Sequence, residues 1–157
     1  MPNLPDTAEI KIEDAVQALL QADAELSEWD ITTDVNRAIE QEADKTLLIS
    51  TPGFSMDQSS CQGQTDHRMV LELAFMSGPQ PLGVVSRANK RAAARAHSTV
   101  VADRYLGGML QDLQERDAQP VGDELKDLHA YTIQYDVEFY TPRDDWTTIV
   151  GQGGETF

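Results

Sequence analysis

The chain is poor in cysteine, in basic residues and in long apolar runs, and each shortage removes a class of protein. Cys61 is the only cysteine among 157 residues. It excludes an intrachain disulfide and a cysteine-based metal cluster, so folding needs no oxidising compartment. Twelve Lys and Arg stand against 27 Asp and Glu, a formal net charge of -15. A surface of that sign disfavours phosphate and argues against nucleic-acid binding through a broad basic face. No run reaches the roughly 20 apolar residues of a membrane span. Residues 1–14 carry neither the basic leader nor the apolar core of a secretory signal. The expected setting is a cytoplasm, or an assembly made there, with no membrane partner.

Catalytic signatures are scarce as well. There is no Gly-x-Ser-x-Gly elbow, and Asp66 beside His67 on a strand would point to opposite faces, which weakens a hydrolase built on His67 or Cys61. His97 and His129 lack metal-ligand spacing. Asp123, Glu124 and Asp127 do not follow the calcium-loop pattern and read as solvated. Gly107 and Gly108 close a helix instead of opening one, so they suit a C-cap and not a phosphate cradle. No cofactor and no metal is expected.

What the chain does have is a strand of unusual length. Tyr131, Ile133, Tyr135, Val137 and Phe139 share one parity, and Thr132, Gln134, Asp136 and Glu138 the other. That is the period of a half-buried strand, and His129 to Thr141 would run roughly 40 Å, which suits a central position in a sheet. Pro142 removes a ladder donor and ends it.

The remaining elements arrange themselves around this strand. Asp6 and Glu9 resemble a capping pair before an amphipathic helix over 7–23, whose inner face is Ile12, Ala15, Val16, Leu19 and Leu20. A short strand is expected over 29–35, one helical turn within 36–45, and a buried strand over 46–51 ended by Pro52 and Gly53. The stretch 54–64 is polar and without period, and reads as a long loop. His67, Met69, Leu71, Leu73 and Phe75 mark a third strand, and Ser86 suits the N-cap of a helix that runs to Leu106. Gln111 to Ala118 reads as a fourth strand, 119–128 as an acidic loop, and 146–150 as a short edge strand. The sum is one α+β domain over 1–157, with two helices on one face of a mixed, mostly antiparallel five-stranded sheet.

One charge feature stands apart. Arg87, Lys90, Arg91 and Arg95 are four of the twelve basic residues, packed into nine positions at helical spacing. They lie in the first half of the expected helix, where the macrodipole prefers anions, so helix stability does not account for them. They are candidates for a subunit boundary against an acidic surface on a neighbouring copy. Phe54, Met56 and Trp146, apolar residues at expected loop positions, are candidates for contact with other proteins.

Four stretches together carry a family likeness: ValGlnAlaLeuLeuGlnAlaAsp in the first helix, LeuLeuIleSerThrProGlyPhe, SerArgAlaAsn through ArgTyrLeuGlyGlyMetLeuGlnAspLeuGlnGluArgAsp, and TyrAspValGluPheTyrThrProArgAspAspTrpThrThrIle. Across nearly its whole length the chain resembles the tail terminator, or tail completion, proteins of long-tailed bacteriophages and prophages, a class of minor tail protein. The resemblance implies a non-enzymatic virion subunit that forms a homohexameric ring, caps the polymerised tail tube and offers its other side to the head-tail connector protein. It places the chain in the host cytoplasm during assembly and then at the head-proximal end of the virion tail. DNA would pass through the ring without specific binding, and a negative lumen would let it slide. Alternatives are a head-tail connector or neck adaptor, a host-encoded module of phage origin and, from another class, a small hydrolase.

Overall fold

A computed structural model describes residues 3–40, 44–61, 63–77, 82–123 and 128–157, with the side chains at 39, 40, 54, 56–61, 82–86, 121–123, 128 and 129 outside the described set. The elements in chain order are α1 (Ala8–Gln21), a 3-10 turn (Ala24–Leu26), β1 (Asp30–Thr32), α2 (Val35–Glu40), β2 (Lys45–Cys61), β3 (Gln64–Ser77), α3 (Leu82–Ala102), β4 (Asp112–Asp123) and β5 (Leu128–Pro142). The fold is α+β, with one five-stranded mixed sheet in the order β1-β2-β3-β5-β4. β1 runs parallel to β2, and the other pairings are antiparallel.

The long alternating strand takes a central place because its two neighbours continue its pattern. Leu47, Phe75 and Tyr131 lie abreast on β2, β3 and β5, as do Ile49, Leu73 and Ile133. Leu113, Val137 and Met69 form a further row from β4. α1 lays Ile12, Val16 and Leu20 over this face, and α3 adds Ala92, Ala93, Ala96 and Val100, all in one buried cluster. Small residues on α3 bring its backbone close to the strands, which supply the bulk. Each fully buried Leu, Ile or Phe contributes about 1.5–3 kcal/mol relative to exposure.

The second face divides in two. Thr32, Thr46 and Ala74 are buried there beside Ala38 of α2, outside the main cluster, so the short helix covers the β1–β2 end. Over β3, β5 and β4 the same face stays open, with Val70, Glu72, Gln134, Glu138 and Tyr140 half-buried and Asp136 exposed.

Departures from the sequence reading have local causes. Thr7, not Asp6, caps α1, its hydroxyl accepting from Ile10 N. The first strand is only three residues long because the Asp34 carboxylate accepts from Asn36 N at 2.9 Å and turns the chain into α2. Pro52 and Gly53 do not end β2: a register shift between Ser50 and Gly53 absorbs them. The expected loop at 54–64 instead continues β2 to Cys61 and turns back into β3 at Gly63, which has φ 75°. Backbone pairing with β3 imposes a strand where the side chains show no period. β4 extends five residues past Ala118, through Pro120, because an edge strand has no outer partner to demand the missing donor. α3 begins at Leu82, so Ser86 lies within it. Trp146–Val150 forms turns and isolated bridges from Val150 to Tyr140 and to Thr156, because Asp145 draws in Thr147 N at 2.9 Å and the Thr148 hydroxyl at 2.7 Å.

Candidate functional site

The helix that carries the basic cluster also splits it. α3 buries Asn89, Ala92, Ala93, Ala96 and Val100, and at about 100° per residue the opposite side holds Arg87, Arg91, Ala94 and Ser98, all exposed. Lys90 falls on the flank that borders β4. There a groove of about 400 Å³ has Ala93, Ala94, Tyr131 and Ile133 as its floor and Lys90, Glu115, Arg116 and Asp117 among its lining. His97 lines it as well, and its Nδ1 shares a 2.9 Å hydrogen bond with the hydroxyl of buried Tyr135. Burial raises the Tyr135 phenol above its ordinary value, so the group stays neutral.

Arg95 sits on the other flank and serves the fold. It donates from Nε and Nη2 to the Asp23 carboxylate at 2.8 and 3.1 Å, with Glu25 3.2 Å away. Thr99 adds a hydroxyl to Asp23 at 2.6 Å, and Asp23 itself caps the 3-10 turn by accepting from Glu25 N. The Arg95 guanidinium, then the Thr99 hydroxyl, hold the Asp23 carboxyl down to about 2. This clamp joins α3 to the turn after α1. The remaining cations, Arg87, Lys90 and Arg91, have no ion-pair partner among the described residues.

Opposite this helix, across the sheet, lies a surface of the other sign. The register sets Asp112, Glu138 and Arg68 in one row, Gln114, Asp136 and Val70 in the next, and Asp117, Gln134 and Glu72 in a third. Gln134 donates to Glu72 at 2.7 Å, and Arg116, the extra residue of a β4 bulge, reaches Asp136 at 3.0 Å. Burial and then the negative Asp66 raise the Glu138 carboxyl against the pull of Arg68. A shallow basin of about 360 Å³ opens among Ser55, Arg68, Asp112, Gln114, Asp136 and Glu138. This acidic face was not singled out from the sequence, although its signal is present in the polar parity of Gln134, Asp136 and Glu138.

The expected contact residues do not converge with the basic cluster. Trp146 is 46% exposed and sets one edge against His67, with ring centroids 5.9 Å apart. Phe54 and Met56 belong to β2, where the backbone register sets them opposite Met69 and His67. Their side chains fall outside the described residues.

His67 is a packing residue. Its ring is buried, stacks on Phe139 at 4.7 Å and shares a 2.7 Å hydrogen bond through Nε2 with the Thr141 hydroxyl. Burial lowers its pKa below the ordinary 6.5. The folded chain therefore favours the neutral ring, whereas the unfolded chain takes up a proton below that value, and stability is full above it and falls as pH drops through it. We expect the wild-type thermal midpoint to fall relative to that of His67→Gln as pH drops below about 6.5. Parallel slopes in the two proteins would contradict the assignment.

Among the described residues no group of three His, Cys, Asp or Glu side chains is placed to hold a metal ion. Asp123 ends β4, and Glu124 and Asp127 lie outside the described residues, as does the His129 side chain. Leu106, Gly107 and Gly108 hold positive φ in the turns after α3, where the Asp103 carboxylate accepts from Gly107 N at 3.0 Å. No protein-family model matches the chain, and no curated protein matches it.

Proposed function

We propose that this chain is a structural subunit of a phage tail, which assembles with copies of itself into a ring that closes the tail tube. The observation that carries the reading is the outer side of α3. Among the described residues it gathers cations with no ion-pair partner on a protein of net charge -15, where helix stability does not ask for them. The family likeness spans the same helix, α1, the first part of β2 and β5. In this reading the work of the chain is fitting against other proteins, and His67 and Tyr135 belong to the core.

The ring caps the tail tube with one side and meets the head-tail connector with the other, Trp146 and the β2 hairpin bearing Phe54 and Met56 being the surfaces offered. Excess carboxylate keeps the hole negative, so DNA passes without adhering. Electron microscopy of the purified protein should show closed rings, and removing the protein from its phage should give tails of uncontrolled length. Tails of normal length without it, with no rings in purified material, would dismiss the proposal. Labelled particles carrying the protein at the head portal and not at the tail end would favour a neck adaptor.

A further inference from the structure

We infer that copies of this chain join head to tail, the outer side of α3 on one copy lying against the open sheet face of the next. The inference rests on the self-assembly proposed above and adds which two surfaces meet.

Edge pairing is discouraged along β1 and β4. β1 is three residues long and flanked by α2. β4 is interrupted by the bulge at Arg116 and carries Pro120, with charged side chains from Glu115 to Asp117. These are devices that keep sheet edges from pairing. Faces are left. The α1–α3 side covers the core, and the open side over β3, β5 and β4 has no covering element among the described residues.

The two surfaces suit each other in charge and shape. Among the described residues Arg87 and Arg91 are exposed on α3 with no ion-pair partner, and the open face carries exposed Asp136, 3.0 Å from Arg116, and at its β4 edge Asp117, which also borders the groove beside α3. Beyond the arginines the outer side of the helix carries Ala94 and Ser98, small enough for its backbone to approach a sheet, with half-buried Val70 and Tyr140 available beneath. The helix from Arg87 to Ala102 spans roughly 24 Å, which fits within the length of the long strands it would cross. Because the two surfaces lie on opposite sides of one molecule, the contact is heterologous. Repeated, such a contact closes into a ring when its rotation divides a full turn.

Charge exchange tests this directly. In Arg87→Glu/Arg91→Glu the helix is made acidic, and in Asp117→Lys/Asp136→Lys the sheet is made basic. All four positions are exposed, and circular dichroism checks that each variant folds; Arg87→Ser/Arg91→Ser replaces the first if it does not. Sedimentation velocity should show each variant's self-association weakened about tenfold or more. An equimolar mixture of the two should recover assembly, because each helix then finds a sheet of opposite charge. If wild-type protein assembles while both variants assemble equally well alone, the surfaces are wrong and the ring reading stands. If the wild-type protein never assembles, both fall.

Discussion

Phe75→Ala is expected to cost about 3–5 kcal/mol of folding stability, a large share of the roughly 5–15 kcal/mol that holds a domain together. The residue is fully buried in the middle strand of the sheet, between Leu47 and Tyr131, and Trp29 meets its ring edge-on with centroids 5.7 Å apart. Truncation removes the ring from the row that α1 and α3 share, and the neighbouring strands cannot close the gap without losing register. Urea unfolding followed by circular dichroism measures the change. A loss under about 1 kcal/mol would mean that the core is organised differently. Because the proposed assembling surfaces rest on this core, the variant should also lose any assembly as it unfolds.

Gly151→Ala is expected to cost about 1–3 kcal/mol, more than the same change at Gly154. A Cβ at 151 would stand 2.6 Å from the Gly108 carbonyl oxygen and 2.8 Å from the Phe157 ring. The first of these is backbone and is fixed by Gln152 N, which donates to it at 3.1 Å, while Gly151 N donates to Glu155 O at 2.7 Å. Neither side can move without breaking the closing turn. Gly154 has φ 80° but nothing within 4 Å, so alanine there meets only the backbone preference. The Lys11 ammonium, which donates to the Thr147 and Phe157 carbonyls, ties this segment to α1. Thermal denaturation of the two variants side by side gives the order. Equal midpoints would remove the steric argument.

How much of this was legible beforehand depended on whether side-chain period or backbone pairing governs each stretch. β5 and β3 announce themselves because each has one face in the core, and Leu71, Leu73, Ile133 and Tyr135 stand where alternation puts them. α1 and α3 follow from the same logic at helical period. The arm from Phe54 to Cys61 is a strand through its partner's backbone, which leaves no mark on its own side chains. β4 past Ala118 is an edge for the same reason. Trp146 to Val150 looked like a strand by composition, but the Asp145 carboxylate outcompeted it.

The candidate surfaces divide along similar lines. Helical spacing alone brought Arg87, Lys90, Arg91 and Arg95 together, yet spacing does not say which flank meets a carboxylate. Arg95 turned out to be the partner of Asp23, 72 residues earlier in the chain. The acidic face needed the register of three strands before Glu72, Asp117 and Asp136 could be seen as neighbours.

The central claim is that this chain works by fitting against copies of itself, and its mass in solution tests that most directly. Net charge of -15 opposes assembly at low salt, and screening first relieves that repulsion and then weakens the ion pairs of the interface. Sedimentation equilibrium across ionic strength should therefore show closed multiples of the 157-residue chain, with a maximum at intermediate salt. A single-chain mass at every ionic strength and concentration would contradict the account.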